Sequence, residues 1–374
     1  MSAAPRWYLF QGPLKKDTYQ IIHPNSGRCS LKTVVLLRKP KTSSAKTGVG
    51  IYTDGVAKLL DNNAIEYGEI ELRMDLHSGF ERMLVDGFIR PFFQIMNARK
   101  DTKIFHSADE FSCFFFPLLR NNKKIVTFHH VVSEDDKDSR FPLAWKFVSW
   151  VGVRWADKIV AISEQTRDEI LKKYKIDESK VVVISNKLTE DIRILSAEKK
   201  RYVGCVSTFA PRKNVGSLLR VFKEFRDSYG MDDYLLKICG KGPEEGMLRK
   251  LTKDLGLEGK VEFLSNLERN ELVSFYSEAS IIANPSMHEG FGRITLEAQL
   301  CSTPVVYFEK AEIPEEVTRR AVPSVDEKDF AFNMYKLLTD QEFYKKVVEE
   351  GLEHARSFQG QQAELIEIYR ELSA

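Results

Sequence analysis

The stretch IIANPSMHEGFGRITLEAQLCSTP, residues 281–304, decides how the rest of the chain is read. It opens with an apolar run that ends in Asn284, Pro285 and Ser286, the pattern of a strand leaving a core. A Gly-Phe-Gly turn follows at Gly290, Phe291 and Gly292. ITLEAQL then has helical spacing, with Ile294, Leu296, Ala298 and Leu300 available for packing. The layout is strand, glycine-bearing loop, helix. The N–H groups at such a helix start lack intrahelical partners, and the helix dipole adds to their pull, so an anion is favoured there. Two carboxylates, Glu289 and Glu297, stand eight residues apart across the turn. Glu297 lies too far into the helix to cap it. A carboxylate there, beside a phosphate-sized site, suits a ligand with hydroxyls such as a ribose diol.

The string resembles the E-x7-E signature of the retaining glycosyltransferases of family 4, which have the GT-B fold. Members commonly read P-S-x-x-E-G-F-G-x-x-x-L-E-A, and Pro285, Ser286, Glu289, Gly290, Phe291, Gly292, Leu296, Glu297 and Ala298 all match. The resemblance implies that Glu289 touches the hydroxyls of a donor sugar and Glu297 the ribose. The plainer reading, solvated glutamates on a turn before a packed helix, explains fewer of the nine matched positions.

The bulk numbers allow this. A chain of 374 residues is long enough for about two domains. It is 43% hydrophobic and 29% charged, ordinary for a globular protein and far from disordered composition. The net charge of +2 is unevenly spread: residues 1–196 carry 31 Lys and Arg against 24 Asp and Glu, and residues 197–374 carry 25 against 30. A basic first half suits an anionic acceptor or a membrane surface, and equally a merely solvated surface. The five cysteines, Cys29, Cys113, Cys205, Cys239 and Cys301, are odd in number and form no C-x-x-C, which speaks for buried thiols in a reducing compartment. The first residues lack the apolar core of a signal peptide, and no run reaches membrane-spanning length. The expected location is cytoplasmic, with peripheral membrane contact through the basic half. No nucleic-acid partner is expected.

The first half reads as α/β. Residues 33–38, TVVLLR, form a β-branched apolar run and a buried strand; the loop after it ends in Gly48, Val49 and Gly50, and a helix begins near Ile51. Residues 67–76 predict a second strand and 103–106 a third. The Phe-rich run after Asp109 predicts a packed helix. His106 reads first as a structural histidine at a strand end. Residues 125–128 end a strand in His129 and His130, and a strand-end histidine in an open α/β sheet lies where ligands bind. The family often shows T-x-H-D there, which implies that His129 approaches the transferred sugar, with His130 in place of the aspartate. Its glycine pair after the first strand implies that Gly48 and Gly50 face the donor phosphates. Asp136, Lys137 and Asp138 spell D-x-D, the metal site of another glycosyltransferase fold, but they sit among other acidic residues with no strand leading in, and read as a solvated loop. Trp145, Trp150 and Trp155 interleave with basic residues on a helix that suits a core, and also a membrane surface. Ser163 is an N-cap for EQTRDEILKKY. Asn186 matches the family's V-x-x-I-x-N-G, with Lys187 in place of the glycine.

The second half restarts the pattern. Residues 201–206 are strand-like. Pro211, Arg212, Lys213 and Asn214 form a loop into an amphipathic helix with Val215, Leu218, Leu219 and Phe222 on one face. A lysine on a loop entering a helix suits a pyrophosphate, a point charge beside free N–H groups. The loop resembles the family's E-P-R-K-N, which implies that Lys213 contacts the donor diphosphate. Many members carry an arginine shortly before this lysine; here stand Ser207, Thr208 and Phe209, and Arg212 and Arg293 are the residues able to supply that charge. Gly240, Lys241, Gly242 and Pro243 match G-x-G-P and not a Walker A loop. By resemblance Leu267 contacts the nucleotide base. Ser302 stands where the family commonly has glycine, and residues 358–374 resemble its closing helix, which crosses back to the first domain.

The expectation is therefore two Rossmann-like domains facing each other across a cleft. Residues 1–196 hold the acceptor, 197–357 bind a UDP- or GDP-linked sugar, and 358–374 form the return helix. The expected reaction is transfer of a hexose, with retention, to a hydroxyl of a glycan or lipid-linked acceptor. Catalysis is assigned to His129, Glu289 and Lys213. Donor binding is assigned to Gly48, Gly50, Arg212, Lys213, Gly240, Leu267, Glu289, Gly290, Phe291, Gly292, Arg293 and Glu297. No metal and no cofactor is called for, magnesium included, because lysine and amides supply positive charge. Two other readings stand: a GT-B sugar-nucleotide epimerase, separable by its product without acceptor, and a degenerate member that binds nucleotide sugar without turnover.

Overall fold

The computed structural model describes residues 34–41, 47–73, 85–131, 142–188, 192, 197–265, 267–360 and 362–374. Cys29, the D-x-D triplet at 136–138, the far end of the second strand at 74–76 and part of the expected domain junction lie outside the described residues.

Among the described residues, twelve strands form two six-stranded parallel sheets. In the first, β1 (Val34–Arg38), β2 (Tyr67–Glu71), β3 (Ile104–Ser107), β4 (Lys123–Phe128), β5 (Lys158–Ala161) and β6 (Val181–Val183) lie in the order β2-β1-β3-β4-β5-β6. In the second, β7 (Lys200–Val206), β8 (Leu235–Cys239), β9 (Val261–Leu264), β10 (Ala279–Asn284), β11 (Val305–Phe308) and β12 (Val322–Ser324) lie in the order β12-β11-β10-β7-β8-β9. That is the order of a dinucleotide-binding sheet, reversing direction between β7 and β10. The first sheet reverses between β1 and β3. Ligands bind such sheets outside the carboxyl ends of the strands at the reversal, so the topology alone names the loops to inspect.

Alternation along each strand sorts side chains to two faces. On the first sheet Val35, Leu37, Phe105, Val126 and Phe128 join one core, against Ile95, Cys113, Phe116, Val148 and Val151. Val34, Leu36, Ile104, Ile125 and Val160 join the other, against Tyr52, Val56 and Leu60 of helix Gly48–Asn62 and Leu365, Ile366 and Tyr369 of helix Ala363–Ser373. The end of the chain thus packs on the first sheet. In the second lobe, helix Val215–Tyr229 buries Leu218, Leu219, Phe222 and Phe225, each side chain contributing about 1.5–3 kcal/mol on burial. Cys113, Cys205, Cys239 and Cys301 are buried free thiols, as expected.

Two local expectations change. The helix expected near Ile51 begins at Gly48, because the Thr47 side chain accepts from Gly50 N–H and caps it. The Phe-rich run at Ser112–Leu118 is a 3-10 helix, with Pro117 inside it, where a proline blocks regular α-helical bonding.

Candidate functional site

The reversal point of the second sheet lies between the loops that follow β7 and β10. The first carries Arg212 and Lys213 and the second carries Glu289. Lys213 Nζ donates to Glu289 Oε1, forming a buried ion pair, and Arg212 Nη1 stands 4.0 Å from the other carboxylate oxygen. Arg212 is anchored by a 3.2 Å bond to the His288 carbonyl. Burial pushes the Glu289 carboxyl up. The Lys213 ammonium and its hydrogen bond, with Arg212 and Ser286, outweigh that and hold it below the usual carboxylate range. Burial likewise lowers the Lys213 ammonium, with Glu289 opposing. The result is a salt bridge held at a lip, where removing either partner strands the other charge in a dry place.

Two helices start beside this pair. Helix Val215–Tyr229 follows Asn214, held in a left-handed conformation at φ 52°, and helix Arg293–Leu300 follows Gly292, at φ 89°; neither has a side-chain cap. Thr47, Ser163, Asp326 and Asp340 cap other helices with side chains, whereas helices Arg90–Ala98, Glu245–Asp254 and Ala363–Ser373 also start without one, so what sets these two starts apart is the Lys213–Glu289 pair beside them. Helix starts without side-chain caps leave N–H groups for an anion. Cation, carboxylate and helix starts therefore converge at one topologically favoured point.

The Gly290 turn docks on the first lobe. A Cβ on Gly290 would lie 1.7 Å from the His129 carbonyl oxygen, so only glycine permits this approach. Ser163 Oγ donates to the Gly290 carbonyl at 2.9 Å. The structure thus brings together Lys213, Glu289, Arg212, Gly290 and His129, four from the second lobe and one from the first. Phe291 is buried beside them, in the second-lobe core.

His129 is buried, its Nε2 2.9 Å from the Ala108 carbonyl and its ring 4.9 Å from Tyr52. Burial lowers its affinity for a proton, with Glu110 opposing. Tyr52 belongs to the helix that begins at Gly48, so the glycine pair and the histidine are built on adjoining elements. Gly48 is exposed, and a Cβ there would meet nothing within 4 Å. Gly50 is buried and its N–H is taken by Thr47. His106 is structural: it is fully buried, 2.5 Å from Tyr369 Oη and 2.9 Å from Thr127 Oγ1, and burial pushes it down to about 3, with His129 adding to the shift.

Other residues sit further back. Glu297 accepts from Tyr276 at 3.2 Å, Arg293 at 3.2 Å and Arg269 at 3.4 Å. Arg293 also donates to Asn186 Oδ1 at 2.9 Å and the Lys187 carbonyl at 3.1 Å. The charge expected of Arg293 is thus engaged between the lobes, and Arg212 is the arginine beside Lys213. Gly240 packs its backbone on the next loop, where a Cβ would lie 1.7 Å from the Ser207 carbonyl. Leu267 packs on the second-lobe core, half-buried.

Sequence reasoning missed Glu110. It is buried at the end of β3, accepts from His129 N–H at 3.3 Å, and stands 3.5 Å from His130 Nδ1. Burial pushes its carboxyl up, but His130, His129 and Lys39 outweigh that and hold it low. Its position directly beyond a strand at the first sheet's reversal was the available signal.

Comparison with known proteins agrees with this fold. The family described as Glycosyl transferases group 1 matches residues 186–354, and Glycosyltransferase Family 4 matches residues 49–188. The O-antigen chain mannosyltransferase RfbU of Salmonella typhimurium is 32% identical over 207 residues, covering 55% of this chain and 57% of that protein. The D-inositol 3-phosphate glycosyltransferase of Corynebacterium jeikeium is 28% identical over 262 residues, covering 63% of this chain and 62% of that protein. The matches thus span less than two thirds of these relatives. Among solved structures, sucrose-phosphate synthase from Thermosynechococcus elongatus superposes with a TM-score of 0.72 at 17% identity, over 91% of this chain and 99% of that one. Anabaena HepE in complex with UDP and glucose gives 0.72 at 14% identity, over 92% and 100%. At such identity these two speak for the fold alone.

Proposed function

Since the chain belongs to the glycosyltransferases of family 4 and has their GT-B fold, we propose that it moves a hexose from a UDP- or GDP-linked donor to a hydroxyl of a glycan or lipid-linked acceptor, with retention at the anomeric carbon. The observation that carries this reading is the buried Lys213–Glu289 pair between two helix starts without side-chain caps at the sheet reversal. The hard step is departure of the nucleoside diphosphate. Lys213 trades Glu289 for the diphosphate, and with Arg212 and the amides at 290–293 it stabilises the negative charge that grows as the C1–O bond breaks. Glu289, released, orients the sugar hydroxyls. Gly48 closes on the phosphates from the first lobe, with Gly50 behind it and its N–H held by Thr47, and His129 contacts the sugar. The acceptor oxygen bonds to C1 from the face the diphosphate leaves, and its proton passes to a phosphate oxygen. Gly240 and Leu267 flank the nucleotide, and Glu297 reaches the ribose by releasing one arginine. Support for the donor class comes from the family and from HepE, whose solved complexes contain UDP and glucose.

The proposed reaction needs no fixed metal and no nucleic acid. Its proposed setting is the cytoplasm, with the basic first lobe against a membrane. The test is a thermal-shift panel of nucleoside diphosphates and nucleotide sugars, with and without magnesium, followed by product analysis with and without acceptor. A ligand that binds the folded state raises the melting temperature by mass action. One base-and-sugar winner whose sugar appears on an acceptor, independent of magnesium, is the expected result. A shift with no transfer and an altered free sugar nucleotide would point to epimerisation. No shift with any donor would overturn the reading.

A further inference from the structure

One face of the first sheet is covered by a helical layer whose inner side fills the core and whose outer side carries large apolar side chains among exposed polar ones such as Arg90, Asn97 and Arg154. The layer comprises the π-helical turn Val85–Ile89, helix Arg90–Ala98, the 3-10 helix Ser112–Leu118 and helix Pro142–Trp155. Ile95, Ala98, Cys113, Phe115, Phe116, Val148 and Val151 pack inward. Outward stand Val85, Ile89, Phe92, Phe93, Leu118, Phe147 and Trp150, with Phe93 61% and Trp150 50% exposed. Of the ten large exposed apolar side chains among the described residues, seven belong to this layer and the other three are scattered over the second lobe. Phe147 and Trp150 stack on one another at 6.2 Å, outside the core. Isolated surface hydrophobes are ordinary; a whole layer of them marks an interaction face.

Beside the layer, at the amino ends of β3 and β4, a groove of about 950 Å³ opens between the loops that enter these strands and the end of helix Ala363–Ser373. Arg99, Lys100, Lys103, Arg120 and Lys123 line it, all exposed, and no lining side chain is a carboxylate. Asp101, in the same loop, is the nearest acid in sequence. Leu118 belongs both to the groove and to the apolar layer, so the two features are continuous. Lys103 is tethered to the Ser373 carbonyl at 2.7 Å, which keeps its side chain over the groove.

We propose that this layer and groove form one membrane-docking face, the aromatic side chains entering the interface of a bilayer and the five cations gripping anionic lipid headgroups. Charge decides among occupants. A two-fold second copy would set cations against cations, whereas an anionic bilayer complements both halves of the face, with aromatic anchors at the headgroup level and basic side chains held by the surface potential. The face sharpens the membrane contact proposed above, and its test does not depend on transfer. Helices of a parallel α/β layer run opposite to the strands, so this layer reaches from the groove to the strand ends that hold the candidate site. A chain docked this way has its cleft beside the lipid surface.

The test is co-sedimentation with vesicles of phosphatidylcholine alone or with phosphatidylglycerol, with Trp emission as a second readout. Wild-type protein is expected to bind the phosphatidylglycerol vesicles, to release only in part with salt, and to show a blue shift that Trp150→Phe removes. Arg120→Ala with Lys123→Ala should weaken binding about fivefold per cation removed. Phe93→Ser with Phe147→Ser should abolish the salt-resistant fraction. All four side chains are exposed, so an unchanged melting temperature shows the variants folded. Wild-type protein that ignores both vesicles, or variants that bind as wild type does, would overturn the proposal. So would a dimer in sedimentation velocity that the Phe substitutions dissociate, or retention on a nucleic-acid column without vesicle binding.

Discussion

The strand ends of the two lobes face the same site and are built on opposite principles. On the first lobe the groups are closed among themselves, including the buried carboxylate of Glu110, which accepts from the His129 N–H and faces His130. Tyr369, His106, Thr127 and Tyr52 form one chain of hydrogen bonds, and His129 is fixed on the Ala108 carbonyl. On the second lobe the groups are charged and exchangeable: Lys213 holds Glu289, Arg212 stands close by, and two helices start without side-chain caps. A wall whose groups are satisfied within it keeps its shape whatever binds. A salt bridge at a lip can trade partners with an anionic ligand that supplies both an anion for Lys213 and hydroxyls for Glu289, so that neither charge is stranded. The first lobe thus contributes shape and the second contributes charge.

The largest expected effect breaks the charged side. Lys213→Ala or Glu289→Ala should lower kcat/KM by about 10²–10³-fold, the scale of losing a group aimed at developing charge. His129→Ala, which removes one neutral contact, should cost about tenfold. Steady-state kinetics on the donor found by thermal shift reads both. Equal losses would dissolve the contrast between the lobes.

Next comes the seam between them. Gly290→Ala places a methyl 1.7 Å from the His129 carbonyl, and backbone cannot rotate away as a side chain can. The turn must leave the first lobe and give up the Ser163 bond. The expected outcome is a loss of about 1–3 kcal/mol in stability, as for other overpacked sites, together with most of the activity. Gly48→Ala, in open space, should leave stability unchanged while weakening donor binding. If Gly290→Ala melts as wild type does, the lobes do not meet at this turn in solution.

Acid separates the two sides more gently. The unfolded chain protonates histidine near its ordinary value, whereas folded His106 resists until about 3. Between these values the unfolded state holds more protons, so stability falls as pH drops, by roughly 1.4 kcal/mol per pH unit for this one group. His129 and His354, both lowered by burial, act in the same direction. Glu289 behaves differently: its depressed folded value makes its contribution complete above the ordinary carboxylate range, and that contribution disappears only as pH falls through the lower folded value. Urea melts at pH 7 and pH 5 should show His106→Gln with a shallower pH dependence than wild type, and Glu289→Gln with an unchanged one over that interval.

Much of this was legible in the residues. Beta-branched runs located the strands, the glycine turns located the strand-end loops, and a lysine entering a helix identified the charged side before any geometry was known. Three things were not legible, each for a physical reason. Glu110 is a single carboxylate in a Phe-rich run, and nothing in its neighbours reveals that the fold buries it under His129. Arg293 sits in the signature, yet its partners Asn186 and Lys187 belong to the other half of the chain, a pairing that only tertiary structure creates. The apolar layer was visible only in part, as aromatic helices of which the one with Trp145, Trp150 and Trp155 suited a core and a membrane surface alike. Which side of such a helix stays outside depends on the sheet beneath it.

The smallest expected effect tests whether the charged side is also strained. Helix Arg293–Leu300 ends with Ser302 in the left-handed region at φ 57°, where Ser302 N–H reaches the Gln299 carbonyl and Thr303 N–H the Ala298 carbonyl. That bonding pattern suits glycine, which explains the glycine common at this position in the family. On the first lobe, Lys175 ends helix Glu164–Tyr174 at φ 49° and offers a matched site remote from the charges. A left-handed non-glycine residue costs roughly 1–2 kcal/mol, and glycine gives back about 0.5–1 kcal/mol through its freer unfolded state, so each replacement should stabilise by about 0.5–1 kcal/mol. Ser302→Gly and Lys175→Gly, compared in denaturant melts, should therefore gain alike. A larger gain at Ser302 that comes with lost activity would mean that the helix beside Glu289 is held in tension for the site. Equal gains with activity intact would confine the strain to the caps and leave charge as the second lobe's contribution.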